Sequence, residues 1–336
     1  MTSSTPDLAP VSLPARDIPP PTTISDAARA ALSDGALGPA PGWPPAHDRG
    51  AWREAVAASD ALWEDLAPGV LSASPSTVQT QVIGGVTCHV ATPPEKDRAG
   101  QDAASGPLYL FIHGGAFVFG GGAYARMQAA LMADRLGVAT ISVDYRMPPD
   151  HPFPAAPDDC FAVYRTLIET HDPARIVIGG SSAGGNLAAA LALMVRNRGL
   201  PLPAGLVLLT PEVDLTEAGD SFRTNVLLDV SLKGPLPECN ALYAAGHDLT
   251  DPYISPLFGD MTGLPPTLIQ TGTRDILLSN SVLIHRKLRK AGVEAELHVW
   301  EAMPHGGFGP FGAGDAPENR EIDDEVRRFI GRWTCR

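Results

Sequence analysis

A chain of 336 residues, 44 % of them apolar, can bury a sizeable core, and one α/β domain with a smaller cap fits that length better than two equal domains. Its 38 acidic and 25 basic side chains leave a formal charge of −13, which argues against nucleic acid or stable association with an anionic membrane. Cys88, Cys160, Cys239 and Cys335 lack CxxC spacing and read as reduced residues of a cytoplasmic protein with no zinc pattern. The sequence shows no charged-then-apolar leader and no apolar run of about 18 residues, which again makes the cytoplasm the expected location.

Residues 1–22 are rich in Pro, Ser and Thr and read as loosely ordered. Asp26 to Leu37 and Ala51 to Leu66 have helical spacing, and the second carries Trp52 and Trp63, either core anchors or pocket walls. Val78 to Val90 reads as a hairpin turning at Gly84-Gly85. Strands are expected at 108–113, 138–143, 175–179, 205–210, 266–271 and 295–301. Helices are expected between and after them, at 124–136, 157–170, 186–198, 279–291 and 318–332. This alternation predicts an α/β fold with a mainly parallel sheet covered on both faces. Residues 212–250 interrupt it and are too long for an ordinary connection, so they read as an insertion with a helix near 235–245.

The chemistry concentrates at Gly180-Ser181-Ser182-Ala183-Gly184, between an apolar strand and a helix-forming run. Only Ser182 has glycine at both −2 and +2, which allows a sharp strand-to-helix turn with the hydroxyl at its apex. A serine hydroxyl needs a base, and the histidines beyond it are His247, His285, His298 and His305. His298 sits in an alternating strand, His285 on a basic helix face and His247 in a polar loop. His305 stands in the Pro- and Gly-flanked loop Met303-Pro304-His305-Gly306-Gly307, directly after a strand. The matching acid is Asp275, in the loop after the strand ending at Gly272, although an Asp there also suits a helix N-cap. Asp248 and Asp251 read as turn formers. Leu108 to His113 runs into Gly114-Gly115-Ala116-Phe117, where backbone N–H groups of Gly115 and Ala116, with that of Ala183, suit an oxyanion.

These blocks together resemble the hormone-sensitive-lipase-like, bacterial type IV group of α/β-hydrolase esterases. The resemblance covers about residues 75–333 and also includes Val143 to Arg146, Phe153-Pro154-Ala155, Ser255-Pro256-Leu257 and Leu264-Pro265-Pro266. It implies Ser182 as nucleophile, Asp275 as acid and His305 as base, with no cofactor or metal. It also implies a cap made from residues 1–74 and the insertion at about 212–250, over a catalytic domain spanning 75–336. Phe117 and Leu228 are the expected substrate contacts, with Phe222, Val226, Leu227 and Leu232 either beside them or sealing the cap. The implied substrate is a small ester of short- to medium-chain acids, and a homodimer is compatible with this picture. Two departures stand out: Ser181 where the group has Asp or Thr, and Ala116 in place of a third glycine. The same machinery would serve a lactone hydrolase or an acyltransferase. A silent ligand-binding protein of the plant-receptor kind would lack the histidine that is present here.

Overall fold

The computed structural model describes residues 10–35, 42–95, 106–309 and 316–335. Two helices lead, α1 (Asp26–Gly35) and α2 (Arg49–Ala73), followed by the hairpin β1 (Thr77–Ile83) and β2 (Val86–Thr92). The turn places Gly84 at φ +60° and Gly85 at φ +84°, the left-handed pair that a two-residue hairpin turn requires. Then come β3 (Leu108–Ile112), α3 (Ala123–Leu136), β4 (Ala139–Val143), α4 (Ala155–Leu167), β5 (Ile176–Ser181), α5 (Ala183–Asn197) and β6 (Gly205–Leu209). Two short helices, α6 (Ser221–Thr224) and α7 (Pro237–Ala244), lie in the insertion. The chain closes with β7 (Thr267–Gly272), α8 (Leu278–Lys290), β8 (Ala295–Trp300) and α9 (Pro317–Thr334).

The eight strands form one sheet in the order β1-β2-β4-β3-β5-β6-β7-β8. From β4 to β8 all pairings are parallel, while β2 pairs antiparallel with both β1 and β4. Leu110 sits opposite both Ile141 and Ile178, which fixes the register at the centre. The central strands are apolar throughout because helices cover both faces. Leu108, Leu110 and Ile112 pack with residues of α4, α5 and α8. Tyr109 and Phe111 point the other way, against Met132 and Leu136 of α3 and Val326 and Phe329 of α9.

Helix α2 runs to Ala73, past the expected end at Leu66, with Pro68 inside it. Proline normally ends a helix by removing a hydrogen bond. Here packing wins: Ala67 is buried in a cluster with Tyr124 and Met127 of α3, and Trp63, Val70 and Leu71 lean on it. At β5 the strand runs two residues further than expected and α5 starts three residues earlier, leaving Ser182 alone between them. No helix among the described residues is long and apolar enough to cross a membrane.

Candidate active site

Ser182 is the N-cap residue of α5, with φ +57° and ψ −122°, and its side chain makes no capping hydrogen bond. The flanking glycines are required by close approach as well as by the turn. A Cβ on Gly180 would lie 2.3 Å from the Gly184 carbonyl oxygen, and one on Gly184 would lie 2.0 Å from that of Ile112. The two glycines thus let strand, turn and helix pack backbone to backbone around a hydroxyl held at the carboxyl edge of the sheet.

Two loops bring partners to it. His305, after β8, places Nε2 2.9 Å from Ser182 Oγ. Its Nδ1 lies 3.1 Å from Asp275 Oδ1, in the loop after β7. An ionised carboxylate only accepts, so Nδ1 carries the proton and Nε2 is free to accept from the serine. Asp275 is fully buried and is itself held: Oδ2 accepts from Thr271 Oγ1 at 2.7 Å and Oδ1 from the Leu277 N–H at 2.9 Å. Asp275 is not the N-cap of α8, which is Leu277; its carboxylate faces the imidazole and also braces the turn that leads into that helix. Burial works against a charged His305. The hydrogen bond and charge of Asp275, then the charges of Asp229 and Glu212, outweigh it and hold the imidazole pKa above its usual value.

The loop after β3 supplies N–H groups. Gly115, Ala116 and Phe117 have φ of +121°, +52° and +63°, and the turn closes through the N–H groups of Val118 and Phe119 donating to the Gly115 carbonyl. Among the described residues, no protein acceptor faces the N–H of Gly115, Ala116 or Ala183. His113 braces this loop: its ring stacks on Tyr145 at 4.2 Å, and Nδ1 donates to the Gly114 carbonyl at 2.8 Å. A cavity of about 1200 Å³ opens over these groups, touching Ser181, Ser182, Gly115, Ala116 and His305. Its walls include Ala27 and Ala31 of α1, Leu62 and Trp63 of α2, and Val230 to Leu232 of the insertion.

A family model for the alpha/beta hydrolase fold matches residues 109–308. An acetyl-hydrolase of Streptomyces hygroscopicus is 35% identical over 242 residues, which cover 70% of this chain and 77% of that protein. An esterase of Acinetobacter venetianus is 37% identical over 60% of this chain and 67% of its own. Among solved structures, esterase E25 superposes with a TM-score of 0.86 at 36% identity, covering 96% of this chain and 99% of that one. EstE7, a homologue of hormone-sensitive lipase from a metagenome library, gives 0.76 at 31%, covering 93% and 100%. The chain belongs to the α/β-hydrolase family. Within that family it is a carboxylesterase of the bacterial hormone-sensitive-lipase group.

Against that family frame, Ser182, Asp275 and His305 come together as the sequence predicts, whereas Phe117 and Leu228 do not reach the cavity. The left-handed backbone at Phe117 turns its ring into the core, fully buried and stacked on Tyr243 at 4.2 Å. Leu228 lies in the turn after α6, its N–H donating to the Asn225 carbonyl, and Val230, Ser231 and Leu232 line the cavity instead. The two tryptophans divide: Trp63 lines the cavity, while Trp52 is buried against Trp43 and Phe119. His298 pairs with Glu296, and His285 faces the Ala295 carbonyl, both at the far edge of the sheet.

Sequence reading missed two buried acids, Asp229 and Glu212. Burial, then the charge of Asp275, pushes the Asp229 pKa up to about 6. Burial, then the charge of Glu217, pushes that of Glu212 up to about 8. The available signal was an acid set inside an apolar run, Val226-Leu227-Leu228-Asp229-Val230 in one case and Pro211-Glu212-Val213 in the other. Asp229, Asp275 and His305 form the one group with metal-ligand spacing among the described residues. Their ligand atoms already face N–H and O–H groups of the protein.

Proposed function

We propose that the chain hydrolyses small esters of short- to medium-chain acids through an acyl-enzyme, with Ser182 as nucleophile, His305 as base and Asp275 as orienting acid. The observation that carries this is the unbroken run from Ser182 Oγ to His305 Nε2 and from Nδ1 to Asp275. As Oγ bonds to the carbonyl carbon, its proton passes to Nε2 and the carbonyl electrons move onto oxygen. The N–H groups of Gly115, Ala116 and Ala183 receive that charge, each such donor contributing about 2.7–4 kcal/mol in comparable sites. Collapse expels the alcohol, which takes the proton from Nε2, and water repeats the sequence to release the acid. Asp275 takes no proton. The first and second helices and the 230–232 segment act as the cap over this reaction. Three buried cysteines without disulfide partners agree with a cytoplasmic site of action. An organophosphonate should label the chain once, and peptide mass mapping should place the adduct on Ser182.

The base must be neutral to accept the serine proton, so kcat/KM rises with pH as His305 deprotonates. With its pKa held above the ordinary value of about 6.5, the midpoint lies above that value. Stopped assays from pH 5 to 9 check this, and a flat or falling profile removes His305 as base.

Ala116 narrows the approach to the carbonyl but keeps its N–H. Ala116→Gly should raise kcat/KM for tertiary-alcohol esters relative to primary ones. Because Ala116 sits at φ +52°, glycine relieves a left-handed strain of roughly 1 kcal/mol, so the melting temperature should not fall. An unchanged ratio of kcat/KM between matched esters would assign alcohol breadth to the cap.

A further inference from the structure

Asp229 lies between α6 and α7, is fully buried, and joins three chain segments through one carboxylate. Oδ1 accepts from the N–H groups of Ser231 and Leu232, both at 3.0 Å, which fixes its own turn. Oδ2 accepts from the N–H of Ile276 at 2.9 Å, one residue beyond Asp275. Both oxygens lie 3.2 Å from the N–H of His305. One oxygen of Asp229, one of Asp275 and a ring nitrogen of His305 all fall within 4.8 Å of one another. The N–H of Ile276 is buried, so without this carboxylate it would lose its acceptor in the interior.

We propose that Asp229 is a positioning residue for the Ser182 reaction, pinning the His305 backbone to the Asp275 loop and adding its negative charge to the field around the imidazole. The proposal rests on the esterase reading given above. When the Ser182 O–H bond breaks and Nε2 takes the proton, the imidazolium has Asp275 on its ring and Asp229 beside its backbone. The proton later leaves with the alcohol, and Asp229 neither gains nor loses one. Geometry explains why two acids are needed: Asp275 fixes the ring's tautomer, but a ring on an unanchored loop would still wander from Ser182. Asp229 holds the peptide N–H on that loop, and it does so from the same carboxylate that holds the residue after Asp275. The charged and titratable groups facing His305 are Asp275, Asp229 and Glu212. Those facing Asp229 are Asp275 and His305.

Asp229→Asn keeps the volume and one acceptor but removes the charge and sets an amide against a backbone N–H. With p-nitrophenyl butyrate as probe, kcat should fall on the order of 10- to 100-fold while KM changes less than about threefold. The kcat/KM midpoint should move down by about half a pH unit or more, because a neighbouring negative charge has gone. Asp229→Glu restores the charge without the geometry, so it should recover the midpoint but not kcat. A residue with only a structural role would lower the active fraction, counted by phosphonate titration, and leave the midpoint of the active fraction in place. NMR titration of the His305 ring in the full chain reads the same shift without turnover. It separates failure of this proposal from failure of the esterase reading, which the Ser182→Ala variant tests alone. A His305 midpoint that is unmoved or raised in folded Asp229→Asn, by kinetics or by NMR, overturns the proposal.

Discussion

Replacing Ser182 by alanine should lower kcat/KM by on the order of 10³-fold or more, while Ser181→Ala keeps most of the activity. The two hydroxyls are neighbours in sequence and both reach the cavity, yet their chemistry differs completely. Ser182 Oγ has an imidazole nitrogen at 2.9 Å to take its proton, and its backbone, at φ +57°, aims it there. Ser181 ends β5, paired with Leu209, and no histidine among the described residues bonds to it. Removing Ser182 leaves the N–H groups of Gly115, Ala116 and Ala183 in place, so a small residual rate above the uncatalysed one is expected. Near-normal turnover by purified Ser182→Ala would remove the acyl-enzyme mechanism entirely. Loss in Ser181→Ala with retention in Ser182→Ala would move the nucleophile by one residue.

Gly184→Ala should damage both folding and turnover. Its Cβ would meet the Ile112 carbonyl oxygen at 2.0 Å and that of His113 at 2.6 Å, both backbone atoms of the adjoining strand and its extension. No side chain can rotate away, so α5 must lift from β3 and carry Ser182 with it. Overpacking of this kind costs about 3 kcal/mol or more. Displacing the hydroxyl should cost at least another factor of about 10 in kcat. Gly331→Ala is the control: a Cβ there meets nothing within 4 Å and its φ is ordinary. On an exposed turn of α9 alanine should be neutral or stabilise by about 0.5–1 kcal/mol. Melting temperature and kcat of the two variants decide the matter. Equal stability would mean that the helix has more room against the sheet than these distances allow.

The parts of this molecule that were legible in the sequence are those with a local signal. The apolar run Leu108 to Ile112 needs no periodicity to read as a buried parallel strand, and glycines two residues either side of Ser182 announce a turn. His305 was separable from three other histidines because its Gly- and Pro-rich loop follows a strand. What stayed hidden depends on contacts distant in the chain. Asp229 meets the His305 N–H across 76 residues, and no local pattern encodes that bond. Phe117, expected at the substrate, lies elsewhere: three successive residues with positive φ turn it from the cavity toward Tyr243. The end of α2 was also out of reach, since the helix carries on past Leu66 and through Pro68 by packing on α3.

The stack of His113 on Tyr145 has a consequence for which groups in the site respond to acidity. Nδ1 of His113 already gives its proton to the Gly114 carbonyl, and Nε2 is buried with no partner among the described residues. A second proton would have to sit at Nε2 without an acceptor, and burial lowers the pKa to about 4. The bracing imidazole of the N–H loop therefore stays uncharged over the whole interval in which the other imidazole, at His305, exchanges its proton. One histidine serves as a fixed wedge and the other as the moving part, although the two carry the same side chain. On the proposed mechanism, the loop that would receive the oxyanion thus keeps one charge while His305 exchanges its proton, so acidification would stop the chemistry before it charges the imidazole that braces this loop.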